Sequence, residues 1–455
     1  MSIYGLIRFD VEDFITPESD EGLAAVLAAM SEFDMPASYG IVGKKAQSLK
    51  EHRREDLLAI LAQKRSVGFH SWSHSEHPTL SEDLADRPYD EGVARFISRE
   101  QPGVRLVSEL VAPPGYFTQP GGNWVPQACG ALPQMNMPVF FSDAWNSYLV
   151  TSSQPMWIED ILHLALPVMT PKPFAMNLPD NLEESVEFLK RGAQTLQPQQ
   201  AFMIMVHPTE LVSTKFWDAV NFSYGATSST LRPAPLRSAG DREQAAQAFR
   251  TYIQDIRQIP GIEWLDVQGL VSRLVPLASP VLPDVRLLCG EVGRKGLGPL
   301  TVAGENFSAA EIVAAAAAWI TGTGRPGTPL PRAKAPKDWD GDEPQNTGPI
   351  HLGEEAVMQG GQQILAVLAQ TGSLPGHVHL GAGDLAVQHW AESALLALSA
   401  GKVGAALPLA FLSYVKSPDE LHWDWPIFPP DFRPVGLWRE TRRLAWSLKF
   451  SQYRD

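Results

Sequence analysis

The sequence predicts an α/β fold with a mainly parallel sheet, closed into a complete or partial β/α barrel. Two observations carry this expectation. From Ser2 to about Leu274, short apolar strand-like runs alternate with stretches of helical apolar spacing. The chemically distinctive side chains Asp10, Glu12, His70 and His207 fall just after such runs. In a β/α barrel the C-terminal strand ends form the active face. A doubly wound sheet also places residues at strand ends and is the second choice.

The elements follow in order. Tyr4–Phe9 is an apolar strand, Glu21–Phe33 is helical, Ser38–Val42 is a short strand and Ser48–Gln63 is helical. Ser66–Phe69 is a strand that delivers His70. Asp83–Ser98 reads as a helix, and Leu106–Val111 as a strand leading into Pro113-Pro114-Gly115. Val139–Phe141 and Leu164–Val168 are strands, Leu182–Leu196 is helical, and Ala201–Val206 is an apolar strand that delivers His207. Arg242–Arg257 is helical and Glu263–Val267 strand-like.

From about Ser279 the chain becomes rich in Ala, Gly and Pro, with a linker-like stretch from Gly322 to Pro349. Ile350-His351-Leu352-Gly353 recurs as Val378-His379-Leu380-Gly381, a step of about 28 residues. Leu300-Thr301-Val302-Ala303-Gly304, followed by Phe307–Ile320, reads as a third, diverged copy. Each unit would be a short strand or turn plus a helix, burying its apolar face against its neighbours. The expected division is residues 1–276 as the barrel and 277–455 as a smaller, mainly helical, repeat-containing domain for binding or homo-oligomerisation.

Length and composition bound the function. At 455 residues, 44% hydrophobic and 19% charged, the chain suits a soluble protein of two or three domains. A formal charge of -14 argues against non-specific nucleic-acid binding, because phosphates need basic partners. Cys129 and Cys289 make neither a metal spacing nor a disulfide framework and read as buried free thiols. The run Ile312–Ile320 is too short to span a bilayer, so no membrane partner is expected. No basic and then apolar leader precedes Ile3, and the expectation is a cytoplasmic protein.

The chemistry lies in three segments. In Phe9-Asp10-Val11-Glu12-Asp13, strand alternation points Asp10 and Glu12 to one face and Asp13 to the other. An isolated D-x-E is also what a solvated strand end looks like. In His70-Ser71-Trp72-Ser73-His74, one helical turn would put both imidazoles on one face, where they could grip one ion, and His77 is near enough to substitute. His207 closes an apolar strand, and Pro208 keeps it out of the helical region. A buried histidine bonded to backbone has the same local appearance. Together the three segments hold ligands for one divalent ion, a general base and a general acid, the inventory of a mononuclear metallohydrolase.

The order and spacing of these segments resemble the polysaccharide deacetylase family (NodB homology, carbohydrate esterase 4) over about residues 2–274. The resemblance implies a distorted (β/α) barrel of the NodB type, with Asp10 as catalytic base, Glu12, His70 and His74 as metal ligands, and His207 as catalytic acid. It implies one divalent cation, zinc first, with nickel or cobalt also suited to two imidazoles and a carboxylate. The implied reaction is N-deacetylation of a saccharide, with Trp72, Tyr116 and Trp145 lining the cleft. The D-x-acid form of the first motif resembles the branch holding peptidoglycan deacetylase-like and allantoinase-like members.

Two departures qualify the match. The family's third motif, R-x-P-x-G, falls on Val111-Ala112-Pro113-Pro114-Gly115, where valine replaces the arginine that pairs with the base. Asp10 would then lack a cation, and Pro114 would remove a backbone donor to the oxyanion. The fourth motif is partial at Asp143-Ala144-Trp145. Two alternatives follow: hydrolysis of a cyclic amide or ureide, and a catalytically weak glycan-binding homologue.

Three C-terminal features complete the reading. Residues 300–403, with Leu374 to Gly381 as Leu-Pro-x-x-Val-x-Leu-Gly, have a modest resemblance to pseudomurein-binding repeats, which implies cell-wall glycan binding. Asp338-Trp339-Asp340-Gly341-Asp342-Glu343 reads as a solvated acidic linker, since it lacks a full calcium-loop ligand set. His422-Trp423-Asp424-Trp425-Pro426-Ile427-Phe428 is either a sugar platform or a tail packed on the barrel or on a second subunit.

Overall fold

The computed structural model describes residues 2–149, 154–169, 182–339, 352–381, 383–400, 415–416 and 424–454. Its centre is β1, Ile3–Val11, a strand buried along nearly its whole length. Around it run β2 (Ser38–Ile41), β3 (Val67–Phe69), β4 (Phe117–Thr118) and β5 (Val139–Asp143), each parallel to the one before. Next come β6 (Met156–Ile158), antiparallel to β7 (Ile161–Leu166), and then β8 (Ala201–Val206) and β9 (Ile262–Leu265), both parallel to β1. β7 is parallel to β5. A parallel bridge between Val168 and Met203 joins the chain beyond β7 to β8. The sheet is therefore a curled, barrel-like ring, β1-β2-β3-β4-β5-β7-β8, closed at one place by a single bridge.

Strand alternation divides β1 between two cores. Ile7, Phe9 and Val11 point outward and pack with Leu23, Val26 and Phe249 of the surrounding helices. Tyr4 and Leu6 point inward and pack with Tyr116, Phe141, Leu164 and Met203. The inward series continues up the strand as Arg8, Asp10 and Glu12, so the barrel interior changes from apolar to charged toward the C-terminal rim. Each of these three is buried, at 1–2% exposure.

The structure overturns one expected strand. Leu106–Val111 is not extended: a helix runs through Tyr89–Leu110 with Pro102 inside it, preceded by the short helix Leu80–Leu84. Gln101-Pro102-Gly103 reads as a helix stop in sequence, but burial of Phe96, Val104 and Val107 along one face carries the helix past it. Gly103 allows that packing, since a Cβ there would lie 2.8 Å from the Phe69 ring and 3.0 Å from Trp72. The expected helix Ser48–Gln63 is two helices, Gly43–Glu51 and Glu55–Ala62, broken near Arg53 at a φ of 57°.

Beyond the barrel lie the helices Val285–Lys295, Ala309–Ile320, Glu354–Thr371, Val387–Ala400 and Val435–Leu444. Ala309–Ala318 is buried throughout, as an all-apolar helix in a core must be. The expected units at Leu300 and Val378 are β-hairpins, Leu300–Val302 with Glu305–Phe307 and His377–Leu380 with Gly383–Ala386, each followed by a helix. At the other copy Gly353 leads directly into a helix, and Ile350 and His351 lie outside the described residues, as do Asp340 to Glu343 and His422-Trp423. These helices share one apolar cluster with the outer face of the barrel. The final strand, Lys449–Phe450, pairs antiparallel with β6, and Trp124 Nε1 donates to Thr441 Oγ1 at 2.8 Å. Among the described residues no helix is long and apolar enough to cross a membrane. Cys129 and Cys289 are free and buried.

Candidate metal centre and active site

Asp10, Glu12, His70, His74 and His207 meet at the C-terminal rim. Asp10 and Glu12 rise from the inner face of β1, His70 follows the end of β3, and His207 follows the end of β8. Glu12, His70 and His74 bring one ligand atom each within 4.8 Å of one another. His74 Nε2 lies 2.9 Å and His70 Nε2 3.3 Å from Glu12 Oε2. His207 Nε2 lies 3.6 Å from Asp10 Oδ2.

The segment between His70 and His74 is not the expected helical turn. It is an irregular loop with Ser71 at φ 64° and His74 at φ 51°, both in the left-handed region. Ser71 Oγ accepts from the His74 N–H at 2.9 Å, and the buried Glu100 accepts from the Trp72 N–H at 2.6 Å. These bonds hold two residues in a costly conformation that brings His74 back over Glu12.

Both imidazoles are oriented from behind. His70 Nδ1 faces Thr118 Oγ1 at 2.6 Å and the Thr118 carbonyl at 3.0 Å. His74 Nδ1 pairs with Ser75 Oγ, which donates onward to Asp218 Oδ2 at 2.7 Å. Glu12 Oε1 is fixed by Trp217 Nε1 at 2.9 Å. Each Nε2 and Glu12 Oε2 are thereby turned to a common point, as hydrogen bonds behind the donors orient the side chains of a metal site. The donor set, two imidazoles and one carboxylate, fits a divalent first-row ion. A second set, Asp10, Glu12 and His207, overlaps the first. It is the poorer ligand set, because His207 is held protonated and Asp10 is engaged by a cation.

That cation is Arg8, and it corrects the expectation that Asp10 lacks one. Arg8 Nε lies 2.7 Å from Asp10 Oδ1, and a terminal guanidinium nitrogen 2.6 Å from Oδ2, a bidentate pair with both side chains about 2% exposed. Alternation puts residues 8 and 10 on one face, and Arg8 interrupting an apolar strand was the available sequence signal. The loop Val111–Gly115 is far from this chemistry: Gly115 N donates to Val67 O, at the opening of β3 and β4 rather than at their C-terminal ends. Pro114 therefore has no bearing on an oxyanion at this rim. At the C-terminal end of β4 stands Thr118, followed by Gln119-Pro120-Gly121-Gly122, with its hydroxyl 2.6 Å from His70 Nδ1. Gly40 leaves the room this needs, since a Cβ there would lie 2.4 Å from Thr118 Oγ1 and 3.4 Å from Asp10 Oδ1.

Charge states follow from burial and neighbours. Burial pushes the Asp10 carboxyl up, but Arg8, with His207 beside it, outweighs burial and holds the group below the usual carboxylate range. Glu12 is held well below that range, again against burial, by His74 and His207. Burial lowers His70, so it is a neutral donor. Burial opposes the charged form of His207, yet Glu12, Glu210 and Asp10 prevail and push it up to about 10. His207 Nδ1 is seated on Glu210 Oε1 at 3.3 Å, with Phe216 packed edge-on to its ring.

Substituting Arg8→Met should raise the Asp10 pKa, because burial then acts unopposed by guanidinium. The acid limb of any pH–rate profile should move to higher pH, and stability should fall by about 3–5 kcal/mol, as for one partner of a buried ion pair. Arg8→Lys should restore part of the shift without the bidentate geometry. An unmoved acid limb in both variants would remove Arg8 from this role.

The other expected site residues lie elsewhere. Asp13 Oδ1 accepts from the Ile15 and Thr16 N–H groups and Oδ2 from Thr209, so it braces the loop after β1. His77 is held by Glu82 and the Phe222 carbonyl. Tyr116 is fully buried in the barrel interior, its hydroxyl on the Ser66 carbonyl, and does not line a cleft. Trp72 packs against Gly43 and Gly103, toward the long helix. Trp145, on the loop after β5, is 68% exposed. Asp143 caps Asn146. The aromatics beside the cluster are Phe216 against His207, Trp217 at 5.4 Å from the His74 ring, and Trp425, which meets His74 edge-on at 6.0 Å.

No protein-family model matches the chain, and no curated protein matches it. Solved structures do align with it. One, a candidate polysaccharide deacetylase from Mycobacterium smegmatis, is 14% identical over 61% of this chain and 93% of its own, with a TM-score of 0.39. The allantoinase PuuE is 11% identical over 59% of this chain and 89% of its own, with a TM-score of 0.41. A CE4-family pseudoenzyme from Bacillus anthracis is 11% identical over 59% and 65%, with a TM-score of 0.34. These likenesses concern the course of the chain; the chemistry rests on the rim residues themselves.

Proposed function

We propose that this protein is a metal-dependent hydrolase of a C–N amide bond, acting on an N-acetylated saccharide. The observation that carries the reading is the pairing, on one rim, of a three-donor cluster with a further carboxylate, Asp10, and a further imidazole, His207. Glu12, His70 and His74 would hold the cation, which when bound supplies a Lewis acid for the amide carbonyl and lowers the pKa of water toward about 7.

The chain's own residues divide the proton work. Asp10, kept anionic by Arg8, takes a proton from the water whose oxygen adds to the amide carbon. His207, oriented by Glu210, gives its proton to the nitrogen as the C–N bond breaks. Acetate and a free amine are the products. His207 Nε2 and Asp10 Oδ2 lie 3.6 Å apart, near enough to act on one substrate.

Hydrolysis of a cyclic amide or ureide would use the same groups and is the second reading. The test is to load the purified protein with zinc, nickel or cobalt in turn and assay acetate release from N-acetylated sugars beside ring opening of allantoin and cyclic imides. Metal-dependent acetate release supports the proposal; ring opening alone selects the second reading. Bound metal with no turnover of any substrate would leave a non-catalytic binding protein.

A further inference from the structure

The C-terminal segment Asp424–Phe432 lies across the mouth of the barrel. At one end Trp425 sits on the loop after β4, where a Cβ on Gly121 (φ +43°) would lie 2.4 Å from the indole. The next two residues are tied to the loop after β8: Tyr224 N donates to the Pro426 carbonyl at 2.8 Å and Gly225 N to the Ile427 carbonyl at 2.9 Å. Ile427 is buried against Trp217 and Phe222, and Trp217 is the residue that fixes Glu12. In the ring of strands β5 and β7 separate β4 from β8, so the segment bridges loops of strands that are not neighbours.

The cluster beneath the segment is almost wholly buried. Asp10, Glu12, His70 and His74 are at most 4% exposed, whereas the His207 side chain is 17% exposed. Beside the segment, Tyr224 is held at φ 58° and ψ 41°, a strained conformation for an aromatic residue, with 67% of its surface in solvent. A polymer bound along its length needs a groove open at both ends; a strap across the rim interrupts one.

Resting on the amide-hydrolase reading above, we propose that this strap makes the site selective for a single N-acylated pyranose ring, free or at a chain end. Trp425 is the specificity-determining wall, with Tyr224 at its edge. Aromatic faces suit the apolar face of such a ring, and one such contact is worth about threefold to tenfold in affinity.

The test uses the full-length, metal-loaded protein with N-acetylglucosamine, its dimer and its hexamer. Calorimetry should give dissociation constants equal within about threefold across the series, because no further subsites engage the longer chains. Any acetate released from the hexamer should come from a terminal ring, as read by mass spectrometry. Trp425→Ala should weaken binding of the single ring by about threefold to tenfold with metal content unchanged, and Trp425→Phe should recover part of it. Affinity that climbs tenfold or more with chain length, acetate lost from internal rings of the wild-type substrate, no binding by any sugar, or an unaffected Trp425→Ala variant would each overturn the proposal. Length-independent binding without acetate release would instead defeat the hydrolase reading and leave the strap's selectivity standing.

Discussion

His74→Ala is expected to abolish stoichiometric metal binding while the protein stays folded. His74 is carried on a loop rather than in the barrel wall, and two Nε2 atoms with one carboxylate oxygen are the smallest set that would hold the ion. Metal analysis after dialysis, beside circular dichroism, reads this directly. His70→Ala should lose metal as well and cost more stability, because His70 is fully buried against Thr118. The affinity of the wild-type site should rise with pH. Burial lowers the His74 pKa, but Glu12 and Asp218 raise it further, so a proton competes for Nε2 above the ordinary histidine range. Full metal retention by both alanine variants would sink the assignment of ligands.

Asp10→Asn is expected to reduce turnover by about 10²–10⁴-fold, the usual worth of a positioned base, with metal content unchanged. The amide keeps an acceptor toward Arg8 but cannot take a proton. The amide also removes the charge that balances Arg8, so stability should fall at neutral pH. Lost turnover together with lost metal would instead move Asp10 into the ligand set, as in the overlapping group with Glu12 and His207.

The parts of the site that sequence made legible are those set by local geometry. Period-two alternation picked Glu12 over Asp13, and the end of an apolar run located His207. Alternation also marks Arg8, a charge on the inward face of an otherwise apolar strand, as the neighbour of Asp10. A helix ending at Ser98 turns Leu106–Val111 into a strand and places Val111–Gly115 at the wrong end of the barrel. Tertiary packing, which extends the helix, is not local information. Trp425 illustrates the same limit. Its aromatic neighbourhood stood out in the sequence, while its seat on Gly121 depends on a contact between residues far apart in the chain.

The strand Lys449–Phe450 hydrogen-bonds beside β6, and the strap over the rim comes from the same late stretch. The candidate ligands therefore precede, by most of the described chain, the residues that cover the β6 edge and the rim. During synthesis these acidic and imidazole side chains emerge well before those covers. Until then a nascent chain would carry a bare sheet edge and an unroofed, strongly charged pocket, so the interval between the first and last strands is when this protein most needs protection from aggregation and stray ions.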